Sequence, residues 1–286
     1  MNRIALGTAQ FGMAYGINNQ RGKIPSEEAL EILNEAAKSG IDILDTAYGY
    51  CDAEIVLGQF IQSSGKNFKV ISKLPSCGYG EVEKALSDSL RRLGSSSIYG
   101  YLVHNFESYK KEPRIWQELE MMKRSKKIEK IGFSLYRTSE LELLMEREIK
   151  IDLINVPHSV FDQRFGPYFK YLKNMGVEIY TRSVFLQGLV FKKADQLSAY
   201  FNPIKEKVDR LHQLARETGL SIATLCINFV LLNDFVDEVV VGVDRLENLK
   251  EIMAALRFYD KTRELIDDLL KLREDDESLI LPFNWT

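Results

Sequence analysis

Short apolar runs of strand character alternate along the whole chain with longer stretches whose apolar positions recur every three or four residues. The strand-like runs fall at residues 4–6, 43–46, 70–73, 98–104, 130–134, 152–156, 178–182 and 239–243. Helical patterns lie between them. The first spans residues 26–39: Pro25 and Ser26 mark its start, Gly40 its stop, and Ala29, Leu30, Leu33, Ala36 and Ala37 form one apolar stripe. Eight strands, each followed by a helical segment, predict an α/β fold of the (β/α)8 TIM-barrel type occupying residues 1–286 as a single domain. After the seventh strand an insertion at 185–203 precedes two helical patterns, 203–218 and 221–233, and a charged amphipathic stretch at 261–274 predicts an extra C-terminal helix. The chain has no repeat of solenoid period, no low-complexity tract and no linker long enough to divide it.

Three of the strand-like runs end in polar residues: Asp45, Lys73 and His104, separated by 28 and 31 residues. Those steps match one strand-helix-strand unit, so the three groups terminate successive parallel strands. In a closed barrel all strands present their C-terminal ends on one face, where strand ends and loops build active sites. A carboxylate, an amine and an imidazole would then meet at one mouth, with the phenol of Tyr50 five residues past Asp45. Taken singly, an Asp-Lys pair at strand ends is more often a structural ion pair, and a lone histidine there more often a hydrogen-bonded structural residue. Tyr48 is a competing phenol.

Composition narrows the function classes. A chain of 286 residues with 45% hydrophobic and 28% charged content can bury a large core. A net charge of −3 gives no electrostatic case for a nucleic-acid or membrane partner. The N-terminal stretch lacks a long apolar core with a cleavage site, and the most apolar segment, 225–232, is too short to span a bilayer, so a cytoplasmic location is expected. Cys51, Cys77 and Cys226 are odd in number and lack paired spacing, which argues against a disulfide framework or a zinc site. His158 and His212 form no ligand cluster with His104, and no metal is expected. Lys123, Arg124, Lys126 and Lys127 are read as a solvated basic helix end.

The residues then resemble a family. Asp45-Thr46-Ala47-Tyr48-Gly49-Tyr50, followed by Glu54 and Leu57-Gly58, is similar to the signature of aldo-keto reductases, and Ser89-Leu90-Arg91-Arg92-Leu93-Gly94 running on to His104 is similar to a second. Ile131-Gly132-Phe133-Ser134 and Leu186-Gln187-Gly188-Leu189 extend the resemblance over essentially the whole chain. It implies reduction of an aldehyde or ketone by a nicotinamide cofactor, with a tetrad at Asp45, Tyr50, Lys73 and His104. Tyr50 would be the proton donor, Lys73 the cation that lowers its pKa, Asp45 the anchor of Lys73, and His104 the donor that orients the substrate oxygen.

For the cofactor, the resemblance places Gly7 and Thr8 near the nicotinamide, Ser134 and Asn155 at its carboxamide, and Arg182 and Ser183 beside the ring and pyrophosphate. Gly242 and Glu251 belong to the nucleotide end, and the helix after Gly242 could hold a phosphate. The sequence departs from the family at several of these points. Leu135 replaces a usual asparagine, Asn155 a glutamine and Arg182 an aromatic. The basic 2′-phosphate contacts appear as Gly242, Val243 and Asn248, leaving Arg245 as the cation able to substitute. NADPH is the cofactor the family implies, with NADH or dual use open. Cys51 stands where glycine is usual.

Two other classes compete with the reductase: a nicotinamide-nucleotide-binding regulatory subunit on the same barrel, and a lyase using Lys73 as a Schiff-base nucleophile. The substrate would be a small carbonyl compound; Phe11, Met13, Tyr15, Tyr48, Tyr79, Phe106, Phe185, Phe283 and Trp285 are candidates for its pocket, and such aromatics suit sugars as well as aliphatic or aryl aldehydes. Oligomeric state is not readable.

Overall fold

In the computed structural model, which describes residues 2–17, 19 and 21–285, eight parallel strands close into one barrel in chain order, the last pairing with the first. They are β1 (Ile4–Gly7), β2 (Ile43–Asp45), β3 (Lys69–Leu74), β4 (Ile98–Val103), β5 (Ile128–Ser134), β6 (Leu153–Pro157), β7 (Glu178–Arg182) and β8 (Glu238–Gly242). Every expected strand is present, with ends moved by at most two residues. The first six helices are α1 (Ala9–Gly12), α2 (Ser26–Lys38), α3 (Ala53–Ser64), α4 (Val82–Leu93), α5 (Phe106–Lys111) and α6 (Ile115–Arg124). They are followed by α7 (Thr138–Glu146), α8 (Gly166–Asn174), α9 (Lys205–Thr218), α10 (Ile222–Leu231) and α11 (Leu246–Ala255), and then by α12 (Tyr259–Arg263), α13 (Ile266–Leu270) and α14 (Glu277–Ile280). The start and stop signals of α2 act as read: Glu27 and Glu28 sit at the positive end of its dipole, Lys38 at the negative end, and Gly40 takes a φ of 77°.

The apolar residues separate into two cores. A large one fills the annulus between strands and helices, and a small one fills the barrel itself with Ala5, Ile43, Ile71, Leu102, Leu153, Tyr180 and Val240. Side chains alternate across a strand, so the residue two positions after each inner one also points inward, one layer nearer the mouth. Those residues are Gly7, Asp45, Lys73, His104, Asn155, Arg182 and Gly242. Strand periodicity alone therefore gathers seven of the expected site residues into a single ring.

Two sequence expectations need correction. The segment at 261–274 is not one helix: α12 and α13 are separated at Leu265, whose backbone (φ −103°, ψ 4°) leaves the helical region. Groups from elsewhere hold the exit from α13. Gln163 Nε2 donates to the carbonyl of Leu270 at 3.1 Å, Lys207 Nζ to that of Arg273 at 2.6 Å, and the Glu274 amide to Phe161 O at 2.8 Å. The helix expected from residue 203 instead begins at Lys205, because Pro203 closes a 3-10 turn, Ala199–Ile204, that leads into it. The insertion itself is built of three such turns. No single helix among the described residues is long and apolar enough to cross a membrane.

Candidate active site

At the mouth of the barrel β2 delivers Asp45 and β3 delivers Lys73, and both are buried. Lys73 Nζ donates to Asp45 Oδ1 at 2.6 Å and to the carbonyl of Thr46 at 2.7 Å, while Asn155 Nδ2 donates to Asp45 Oδ2 at 2.9 Å. The two hydrogen bonds given by Lys73 tie down the nitrogen that a Schiff-base lyase needs as its nucleophile.

Tyr50 lies on the turn after β2 with its ring edge-on to His104, centroids 5.9 Å apart and planes at 85°. Its turn is packed tightly: a Cβ on Gly12 would fall 1.7 Å from Tyr50 O. Cys51 follows with a φ of 47°, the left-handed region that glycine adopts without strain, which explains why a glycine there is usual. Tyr48 is turned elsewhere and packs its ring under the Arg92 guanidinium at 4.0 Å. Of the two phenols, the structure puts Tyr50 on the cleft wall.

The electrostatics of Tyr50 differ from expectation. Burial and the nearby Asp45 carboxylate push its pKa well above the ordinary tyrosine range, and the cation that opposes them is Arg182. Lys73 was expected in that role, but its ammonium sits over the face of the Tyr50 ring, 5.3 Å from the centroid, with its hydrogen bonds given to Asp45 and Thr46. Burial, Lys73 and Arg182 together hold the His104 pKa down at about 3, so its imidazole is neutral at working pH.

An open cleft runs from Tyr50 and Asp45 past the ends of β1, β7 and β8 to the start of α11. Of the residues expected to hold a cofactor, Gly7, Thr8, Arg182, Ser183, Gly242 and Glu251 line it. Ser134 and Asn155 are buried off the wall, and Arg245 is also off it, with Nε turned to Asp244 Oδ1 at 3.4 Å. The wall near α11 carries the carboxylates of Asp244 and Glu251 in place of a cation. Sequence reasoning missed Gln10 and Gln187 on the wall; Gln187 Nε2 donates to the hydroxyl of Tyr15, an expected pocket residue, at 3.3 Å. Among the expected pocket aromatics, Tyr15 and Phe185 reach the cleft, whereas Phe11 and Phe106 are core and Phe283 packs on Tyr136.

A nicotinamide fits this arrangement on one specific observation. Asn155 Oδ1, just behind the wall beside Asp45, is buried without a hydrogen-bond partner among the described residues, an acceptor that suits an N–H donor such as a carboxamide.

Comparisons with known proteins agree with the geometry. Residues 3–274 match the model of the Aldo/keto reductase family. The chain is 24% identical to the uncharacterized oxidoreductase YqkF of Bacillus subtilis (strain 168), over 96% of this chain and 98% of that protein. It is 32% identical to glyoxal reductase of the same organism over 56% of this chain and 59% of that protein. In fold it is similar to the holo form of aldo-keto reductase AKR11C1 from Bacillus halodurans, with a TM-score of 0.74, 20% identity, and coverage of 97% and 95% of the two chains.

Proposed function

The chain belongs to the aldo/keto reductase family and is an oxidoreductase, and from that premise we propose that it reduces an aldehyde or ketone with Tyr50 as the proton donor. The observation that carries this reading is the buried Lys73-Asp45 pair set behind a phenol that lines the cleft and meets a neutral imidazole edge-on. When bound, the reduced nicotinamide dinucleotide supplies the hydride equivalent. Negative charge develops on the carbonyl oxygen as its carbon is reduced, and Tyr50 gives that oxygen a proton, so aldehyde or ketone becomes alcohol. His104, being neutral, donates a ring N–H to the same oxygen and adds no competing charge. Asp45 fixes Lys73, and Lys73 holds the Tyr50 ring by its face. Water then returns the proton to Tyr50.

For the cofactor we assign Gly7, Thr8, Ser183, Gly242 and Glu251 to the cleft wall around the dinucleotide, with Asn155 and Ser134 at the carboxamide end. Asp244 and Glu251 on the wall disfavour a 2′-phosphate by like charge, and this supports NADH serving at least as well as NADPH. Tyr50→Phe tests the reading directly: carbonyl-dependent oxidation of the reduced cofactor should fall by about 100-fold or more while the dinucleotide Kd, read by fluorescence, stays within about threefold. A variant keeping most of its kcat would remove Tyr50 from the mechanism.

A further inference from the structure

Arg182 occupies an unusual position among the cations of this molecule. It ends β7, two residues after Tyr180 of the inner barrel core, so it points inward in the same ring as Asp45, Lys73 and His104. It is the one basic residue on the cleft wall among the described residues. The side chain leans away from β8 and α11 and toward the loop after β5: Nη2 donates to Leu135 O at 2.8 Å, Nη1 to Ser183 Oγ at 3.4 Å, and the guanidinium stacks 4.0 Å over the Tyr136 ring. No carboxylate of the described residues pairs with it, although most other arginines in the chain have one.

A guanidinium has five N–H donors in a planar fork, and the two contacts above leave three for a ligand. Packing against Tyr136 fixes the plane, so little side-chain entropy is lost when an anion arrives. Its charge acts on Tyr50, His104 and Tyr15 together, which places it among the groups at the reacting end of the cleft.

We propose that Arg182 is the seat for an anionic group of the substrate, making this enzyme selective for carbonyl compounds that carry a carboxylate or phosphate close to the carbonyl. The inference rests on the reductase reading above and names its substrate class. The oxyanion would lie in the guanidinium fork and the carbonyl oxygen between Tyr50 and His104, so one ion pair sets the orientation in which reduction occurs. The reaction is unchanged in its balance: the carbonyl carbon gains hydride from the reduced dinucleotide, its oxygen gains a proton from Tyr50, and the anionic group is untouched.

The test compares matched pairs, 4-oxobutanoate against butanal and glyceraldehyde 3-phosphate against glyceraldehyde, in wild type, Arg182→Met and Arg182→Lys. Wild type should favour the anionic member of at least one pair by about tenfold or more in kcat/KM. The pair that shows it distinguishes carboxylate from phosphate. Arg182→Met should lower kcat/KM for that anion by roughly 10- to 150-fold and for its neutral partner far less, with Arg182→Lys between. Equal losses for both members, or a loss that follows a weakened dinucleotide Kd, would assign Arg182 to the cofactor and overturn the proposal. A wild type that reduces neutral aldehydes without preferring the anions would overturn it and leave the reductase reading intact. Should wild type reduce none of the four, calorimetric titration with succinate and inorganic phosphate decides separately from turnover. Binding of either that is lost in Arg182→Met supports the anion seat, and no binding to wild type refutes it.

Discussion

The role proposed for Tyr50 requires a donor that still holds its proton when the substrate arrives, and burial and Asp45 both push its pKa up, in keeping with that role. His104, with its pKa depressed to about 3, is uncharged above that pH, so neither group titrates in the ordinary working range. The rate of reduction should accordingly show no limb near pH 6.5 arising from His104; a kcat/KM profile from pH 5 to 9 checks this, and an inflection there that His104→Gln removes would contradict it. The same depressed value means that burying His104 neutral favours the fold above its unfolded pKa, and that this contribution is lost as pH falls toward 3. At the nucleotide end, Arg245→Ala should change NADPH affinity by less than about threefold because Arg245 stands off the wall, whereas Asp244→Asn should shift the Kd ratio toward NADPH by roughly 3- to 10-fold. Fluorescence titration with both dinucleotides reads the two effects. The positions of Asp45, Lys73 and His104 were legible because strand alternation fixes where they point. The turning of Arg245 to Asp244 and of Lys73 to the Tyr50 ring face was not, since each depends on partners brought from other strands and loops.

The strands were the most legible elements, because each carries its own apolar run and needs only a period of two to be recognised. Helices that follow the barrel surface were less so. The apolar spacing in 261–274 suits one helix, yet the backbone breaks at Leu265, and where α13 stops the carbonyls of Leu270 and Arg273 are taken by Gln163 and Lys207, far away in sequence. The loop after β7 was opaque for a different reason: Ser183, Leu186 and Gln187 all take positive φ, from 46° to 61°, which no propensity of those residues announces. Short α1 has a comparable hidden role. Its Gly12 packs directly on the carbonyl of Tyr50, leaving no room for a methyl group. Gly12→Ala should therefore push the Tyr50 turn outward and reduce kcat on the order of 100-fold, the scale of an ångström misplacement at a reacting group. Steady-state kinetics alongside a thermal melt would check it: wild-type kcat in the variant would show that the turn yields without cost.

The two ends of the barrel divide their labour, with the site at the C-terminal face and a separate polar cluster at the N-terminal face. There Tyr99 OH donates to both oxygens of Glu178 at 2.9 Å, Lys130 pairs with Glu178 at 3.1 Å, and Glu238 lies partly buried with Oε2 unpartnered among the described residues. Burial, with Asp42 and Asp237 nearby, raises the Glu238 pKa to about 8 against the opposing pull of Lys69 and Arg3. A carboxyl raised in the folded state favours folding fully below its unfolded pKa of ~4.3 and loses that contribution as pH rises to about 8. Glu238→Gln should thus have a higher Tm than wild type at pH 8.5, by a few degrees, with the gap narrowing toward pH 5; a constant gap would mean that titration is not the cause. The pairing of β8 with β1 has a consequence of another kind. During synthesis Val239 follows its partner Ile4 on the order of tens of seconds later at ordinary elongation rates. Through that interval the nascent chain carries a bare strand edge, open to mispairing with other chains. Gly242 and Glu251 arrive after Val239, so a dinucleotide can stabilise the closed barrel but has no complete cleft to hold on to until β8 and α11 have been made.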